Sequence, residues 1–205
     1  MAIMIDILMA LVIGGMLLMS IISGGTVVNE SAATLAGDVG VQQMLISNAQ
    51  LVEGEFRNMG MGVADTAAIV TAALDTAISF KTDIDRDGTA DLISYWVGPV
   101  SELSRTQNDS DRLLHRKVNA GAAMSVGTVT KFRMRYYSQG LADTLVPPIN
   151  AMDLTSIRIV EITMEVQNPY AIYRDPRDVQ TGQRNALYSS SYWRQTRLAS
   201  QNLRR

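Results

Sequence analysis

Residues Ile7 to Asn29 read ILMALVIGGMLLMSIISGGTVVN and carry no charge. As a helix rising about 1.5 Å per residue this stretch extends about 35 Å, enough to cross a bilayer whose hydrocarbon core is about 30 Å thick. The first Lys or Arg in the chain is Arg57, and the acids Asp6, Glu30, Asp38, Glu53 and Glu55 all precede it. A secretory signal would place a basic segment ahead of a shorter apolar core, and a single-pass anchor would usually show Lys or Arg on its cytoplasmic flank. The stretch meets neither pattern. It is expected to need an apolar environment in lipid or among helices like itself.

Asp6 stands at the head of the run, where a carboxylate is costly unless a cation compensates for it. Two readings stay open. One is a contact with the N-terminal amine of a neighbouring helix in a staggered bundle. The other is a place in the headgroup layer, favoured also by the positive end of the helix dipole. Gly14-Gly15 and Gly24-Gly25 interrupt the run, each pair costing a helix about 1–2 kcal/mol relative to alanine, and such small residues allow close helix approach or local unwinding. Further on, Val41, Leu45, Val52, Phe56 and Met59 recur at spacings that line one helical face, which predicts packing on a folded head. Residues 1–60 are therefore expected to form one helix of roughly 50 residues, far longer than globular helices usually are. Its 1–29 part is the apolar assembly or membrane segment and its 30–60 part the amphipathic continuation.

Residues 61–205 change character. A short Ala-rich helix is expected from about Thr66 to Asp75, followed by strands at Ala77–Lys81, Leu92–Val97, Leu113–Val118, Thr128–Tyr137 and Ser156–Val166. In the last of these Arg158, Val160, Ile162, Met164 and Val166 alternate with more polar neighbours, so one face is largely apolar and half-buried in a sheet. From Asn168 onward the chain turns polar and then basic, and extended loops are expected. The fold class is thus α+β, a long N-terminal helix packed on a β-rich head. The chain has 205 residues, of which 47% are hydrophobic and 19% charged, a globular average with no sign of wholesale disorder. Its net charge of −2 gives no electrostatic case for wrapping nucleic acid. The absence of cysteine removes disulfides, thiolate metal sites and cysteine nucleophiles together. The single histidine, His115, lies in a polar stretch without an evident second ligand and reads as a surface or strand residue.

The loop Asp83-Ile84-Asp85-Arg86-Asp87-Gly88-Thr89-Ala90-Asp91 holds carboxylates at alternate positions around a glycine. Oxygen ligands so spaced converge inside a tight turn, as calcium loops require. The twelfth place is Ser94, where an EF-hand would carry a bidentate glutamate, and strands flank the loop. A structural calcium ion held by Asp83, Asp85, Asp87 and Asp91 is one reading, and an Asp/Gly-rich hairpin turn is the other. At the C-terminal end Arg174, Arg177, Arg184, Arg194, Arg197, Arg204 and Arg205 interleave with Tyr188, Tyr192 and Trp193. Aromatics among arginines can stack single-stranded nucleic acid. The stronger reading is that this basic end complements the acidic first half of a neighbouring subunit. No Ser/His/Asp set, phosphate loop or paired-carboxylate cleft emerges, so no enzyme is expected.

Phe56-Arg57-Asn58-Met59-Gly60, Ile78-Ser79-Phe80, Asp83 to Asp91, Ser94-Tyr95, Glu102-Leu103-Ser104-Arg105, Phe132-Arg133-Met134-Arg135-Tyr136-Tyr137 and Arg197-Leu198-Ala199-Ser200-Gln201-Asn202-Leu203-Arg204 follow one another along nearly the whole chain. With an acid near the start of a long apolar helix, this order resembles the type IV pilin superfamily, most of all its minor-pilin W and type II secretion pseudopilin J group. The resemblance implies a filament of identical or related pilin subunits, held in the inner membrane before assembly and then found in an extracellular filament or periplasmic pseudopilus. It also implies that Asp6, Gly14, Gly15, Gly24 and Gly25 belong to the assembly segment. If Ala2 is the processed end, Asp6 takes the family's acidic fifth place; if Met1 is, the acid is displaced by one. A monomeric, membrane-anchored, calcium-dependent binding or adhesion module is the alternative. No cofactor is expected beyond the candidate structural calcium, and no nucleic-acid partner.

Overall fold

A computed structural model describes residues 2–64, 68–106, 108–138, 143–168, 171–173, 187–188, 191–199 and 201–204. Helix α1 runs unbroken over Ala2–Arg57, 56 residues, or about 84 Å at the α-helical rise. The two glycine pairs do not unwind it, because a continuous ladder of backbone hydrogen bonds tolerates glycine at only a modest cost. The expected stripe is the buried one: Val41, Leu45, Val52 and Phe56 face inward, joined by Asn48 and Ala49.

The head is antiparallel throughout its main sheets. Strands β1 (Val70–Ala73), β2 (Ala77–Thr82), β3 (Asp91–Val97), β4 (Arg112–Val118) and β5 (Met124–Val129) form a five-stranded meander in sequence order. A second sheet has the order β11-β8-β6-β7, with β6 at Lys131–Tyr137, β7 at Thr144–Leu145, β8 at Ile159–Gln167 and β11 at Ser191–Leu198. Strands β9 (Ala171–Tyr173) and β10 (Leu187–Tyr188) pair separately. The result is an α+β fold, pilin-like in the placing of one long helix against a β-rich head. Helix α1 lies against β11, β8 and β5 and so seals both main sheets into a single core. Phe56 is the keystone, 1% exposed, with its ring 4.9 Å from Phe80 and 5.7 Å from Tyr95.

Three expectations are corrected. The Ala-rich piece is no helix over its described part: Val70–Ala73 pairs with β2, with Val70 and Ala73 buried, while Thr66 and Ala67 lie outside the described residues. The Thr128–Tyr137 strand is two strands in different sheets. The chain crosses between them at Thr130, whose N–H and hydroxyl both donate to the Glu165 carbonyl, at 2.8 and 3.1 Å. The C-terminal region is also more ordered than expected, since β11 pairs with β8 from Ser191↔Gln167 to Leu198↔Val160. Its alternation is weak because β11 is an edge strand with a largely exposed face. Within β8 the anticipated apolar face is buried as Val160, Ile162, Met164 and Val166.

Candidate functional site

The first half of α1 packs against no other described element. Every described side chain from Ile3 to Leu35 is exposed, including Leu11 at 72% and Met19 at 75%. This helix is long and apolar enough to cross a membrane and is a candidate membrane anchor. A Cβ built at Gly14, Gly15, Gly24 or Gly25 would meet open space. Gly14 and Gly25 sit about three helical turns apart and so share a face. Asp6 lies on this segment, exposed, and among the described residues no candidate site side chain outside α1 is brought to it.

Where the head begins, three carboxylates fasten the helix or the sheet beneath it. Glu53 accepts from Arg194 Nε at 2.6 Å and Nη2 at 3.1 Å and from Thr196 Oγ1 at 2.7 Å, tying α1 to β11. Glu55 accepts from Arg116 Nη2 at 2.6 Å and from the Tyr95 hydroxyl, tying α1 to β3 and β4. Burial first, and then the adjacent Glu55 carboxylate, push the Tyr95 hydroxyl far above the usual phenol range. Glu161, 1% exposed on β8, meets Arg197 of β11 and the Tyr137 hydroxyl. Its burial favours the neutral acid, but the bonds from Arg197 and its neighbours win and hold its carboxyl below the ordinary carboxylate value.

Two arginines of the basic end are engaged inside the chain. Arg194 and Arg197 spend their charge within the chain, on Glu53 and Glu161. Arg174, Arg177, Arg184 and Arg205 lie outside the described residues; Arg204 falls in a closing 3-10 turn, Gln201–Arg204, and Tyr188 in β10. Tyr192 and Trp193 alternate along β11, and Trp193 is exposed. His115 likewise has a partner that sequence spacing hid. It stacks on Trp96 and sits 2.7 Å from Glu102, which the chain delivers from a short 3-10 turn after β3.

The acidic loop joins β2 to β3 beside the exit of α1. Strand pairing Thr82↔Asp91 closes its base and puts the first and last carboxylates side by side. Oxygens of Asp83, Asp85 and Asp91 lie within 4.8 Å of one another. Asp87 stands apart from this group, its Oδ1 accepting from the Thr89 N–H at 2.7 Å. Asp83 is only 6% exposed; its Oδ2 accepts from Gly88 N–H at 3.0 Å, and its Oδ1 is buried without a hydrogen-bond partner. Asp91 is oriented by Ile84 N–H at 3.2 Å and by Asn119 Nδ2 at 2.6 Å, and Asn119 also receives the Leu92 N–H at 2.8 Å. Asn119 was invisible to the loop motif because it arrives from the end of β4.

Comparison with protein-family models, with curated proteins and with solved structures returned no match.

Proposed function

We propose that the chain is a structural subunit of a type IV pilin-like filament. On this reading α1 holds it in the inner membrane before assembly, and the N-terminal helices then bundle as the core of an extracellular pilus or periplasm-spanning pseudopilus. One observation carries the proposal: residues 3–36 form a helix that is exposed at every position although the described part of the head folds around its own core. So much apolar surface cannot stay in water. Moving it from lipid to neighbouring helices changes its hydrophobic burial little. Helix packing at small residues, the Asp6 carboxylate against a neighbour's N-terminal amine, and head contacts therefore decide assembly.

The test is electron microscopy of the purified full-length chain after detergent removal. Ordered filaments are the expected result. Asp6→Ala should abolish them while leaving the thermal unfolding of the head unchanged, and normal filaments from that variant would remove Asp6 from the mechanism. Particles that stay single in detergent and only aggregate without order when it is removed would overturn the filament reading in favour of a membrane-anchored binding or adhesion module.

A further inference from the structure

We infer that the β2–β3 loop binds one calcium ion through Asp83, Asp85 and Asp91, and that the ion braces the exit of α1 against the five-stranded sheet. Two independent observations meet here. The first is spacing: oxygens of the three carboxylates lie within 4.8 Å of one another, while ligands at about 2.3–2.6 Å from a common calcium ion stand no more than about 5 Å apart. The second is Asp83 itself. This carboxylate is 94% buried by its 6% exposure, and one of its oxygens has no partner. A buried ionised group with a bare oxygen is costly unless a cation or donor meets it. Among the described residues no Lys or Arg forms an ion pair with Asp83, Asp85 or Asp91.

The chemistry of the group selects the ion. All its ligands are hard oxygens, with no histidine or thiolate to favour zinc. Three carboxylates on a loop provide an irregular shell that calcium accepts and that magnesium, with its demand for a near-ideal octahedron, does not. Asn119 plays the supporting part usual around metal ligands, bonding Asp91 and fixing its direction. Water and loop carbonyls complete the shell, so the affinity belongs with the weaker extracellular modules, at about 0.1–1 mM.

The position of Asp83 gives the ion its effect. Asp83 N–H donates to the Met61 carbonyl at 2.8 Å, and the preceding Thr82 hydroxyl donates to the Asn58 carbonyl at 2.6 Å. Met61 and Asn58 belong to the turn that leaves α1. Neutralising Asp83 therefore strengthens the joint between the assembly helix and the head, in a single copy and without reference to the filament.

The full-length chain in detergent micelles, stripped with a chelator, is titrated with CaCl2 or MgCl2 by calorimetry, and its thermal unfolding is followed. One calcium should bind per chain with a half-saturation of about 0.1–1 mM and raise the melting temperature, with MgCl2 at the same concentration doing neither. Asp85→Ala, at an exposed position, should weaken calcium binding at least tenfold while the stripped chain keeps the near-ultraviolet circular dichroism of the unmodified head. Asp83→Asn should lose the calcium response while being at least as stable as the stripped unmodified chain. Absence of calcium-dependent heat and of any melting shift up to about 10 mM would overturn the inference. So would an equal response to magnesium, or an unaltered response in Asp85→Ala. None of these outcomes depends on whether filaments form.

Discussion

Asp111 shows how one buried carboxylate sets a pH dependence. It is 3% exposed, one of its oxygens has no partner, and burial pushes it up from 3.8 to about 6, with a Thr106 hydrogen bond opposing. A raised carboxylate pKa means that the folded chain holds the proton more tightly than the unfolded one. The contribution of Asp111 is thus most favourable below its unfolded value and is lost as pH rises through the folded value. Asp111→Asn should stabilise the head by about 2 kcal/mol at neutral pH and above, and leave it unchanged below about pH 3, where the unmodified carboxyl is neutral in both the folded and the unfolded chain. Denaturant unfolding at several pH values checks this. Glu161 works in the opposite sense. Its folded pKa is depressed, so its stabilisation is present above the ordinary carboxylate value and declines as pH falls through the lower, folded one. Since Glu161 is common to both proteins, it cancels in the difference between them.

At the scale of elements, the joint after α1 depends on a residue without a side chain. Gly62 has a φ of +72°, and a Cβ there would stand 2.7 Å from the Asp83 Cβ. Gly62→Ala therefore adds a disfavoured backbone to a collision, and should cost about 1–3 kcal/mol, read as a lower melting temperature of the head. Helix α1 was legible in the sequence because its cues are dense: an uncharged run, then Val41, Leu45, Val52 and Phe56 at helical spacing. Strands β2, β3, β4 and β8 were legible because β-branched and aromatic residues cluster between polar turns. The passage from β5 to β6 was not, because MSVGTVTKFRMRYY contains no turn residue at Thr130, and only the bond to Glu165 in a distant strand marks the change of sheet. Val70–Ala73 misled in another way, since VTAA suits either helix or strand and pairing with β2 decides it. The acidic loop was visible as a motif. What spacing could not show was which carboxylate the hairpin would bury and which would turn aside, and there Asp83 and Asp87 part company. Gly127 is similar: its role is to admit Asn48 of α1, 2.5 Å from where a Cβ would be, a contact with no local signature.

For the molecule as a whole, the division between a self-sufficient head and an unsheltered helix predicts separable behaviour. A chain beginning at Glu30 keeps Val41, Leu45, Val52 and Phe56 in the core and loses the apolar run. It should be a monodisperse monomer in water without detergent by light scattering, with the same near-ultraviolet circular dichroism as the full-length head; precipitation would show that the apolar half helps to hold the head. The clasp of Glu53 by Arg194 spans 141 positions of the sequence. Contacts between such distant positions form late, because the long intervening loop must close first. During synthesis the greasy leading segment thus emerges from the ribosome long before the strand that will seat its other half has been translated. The two halves of α1 therefore differ in timing: the uncharged run is complete at the outset, whereas the stripe of Val41, Leu45, Val52 and Phe56 stays uncovered until β11 has been made.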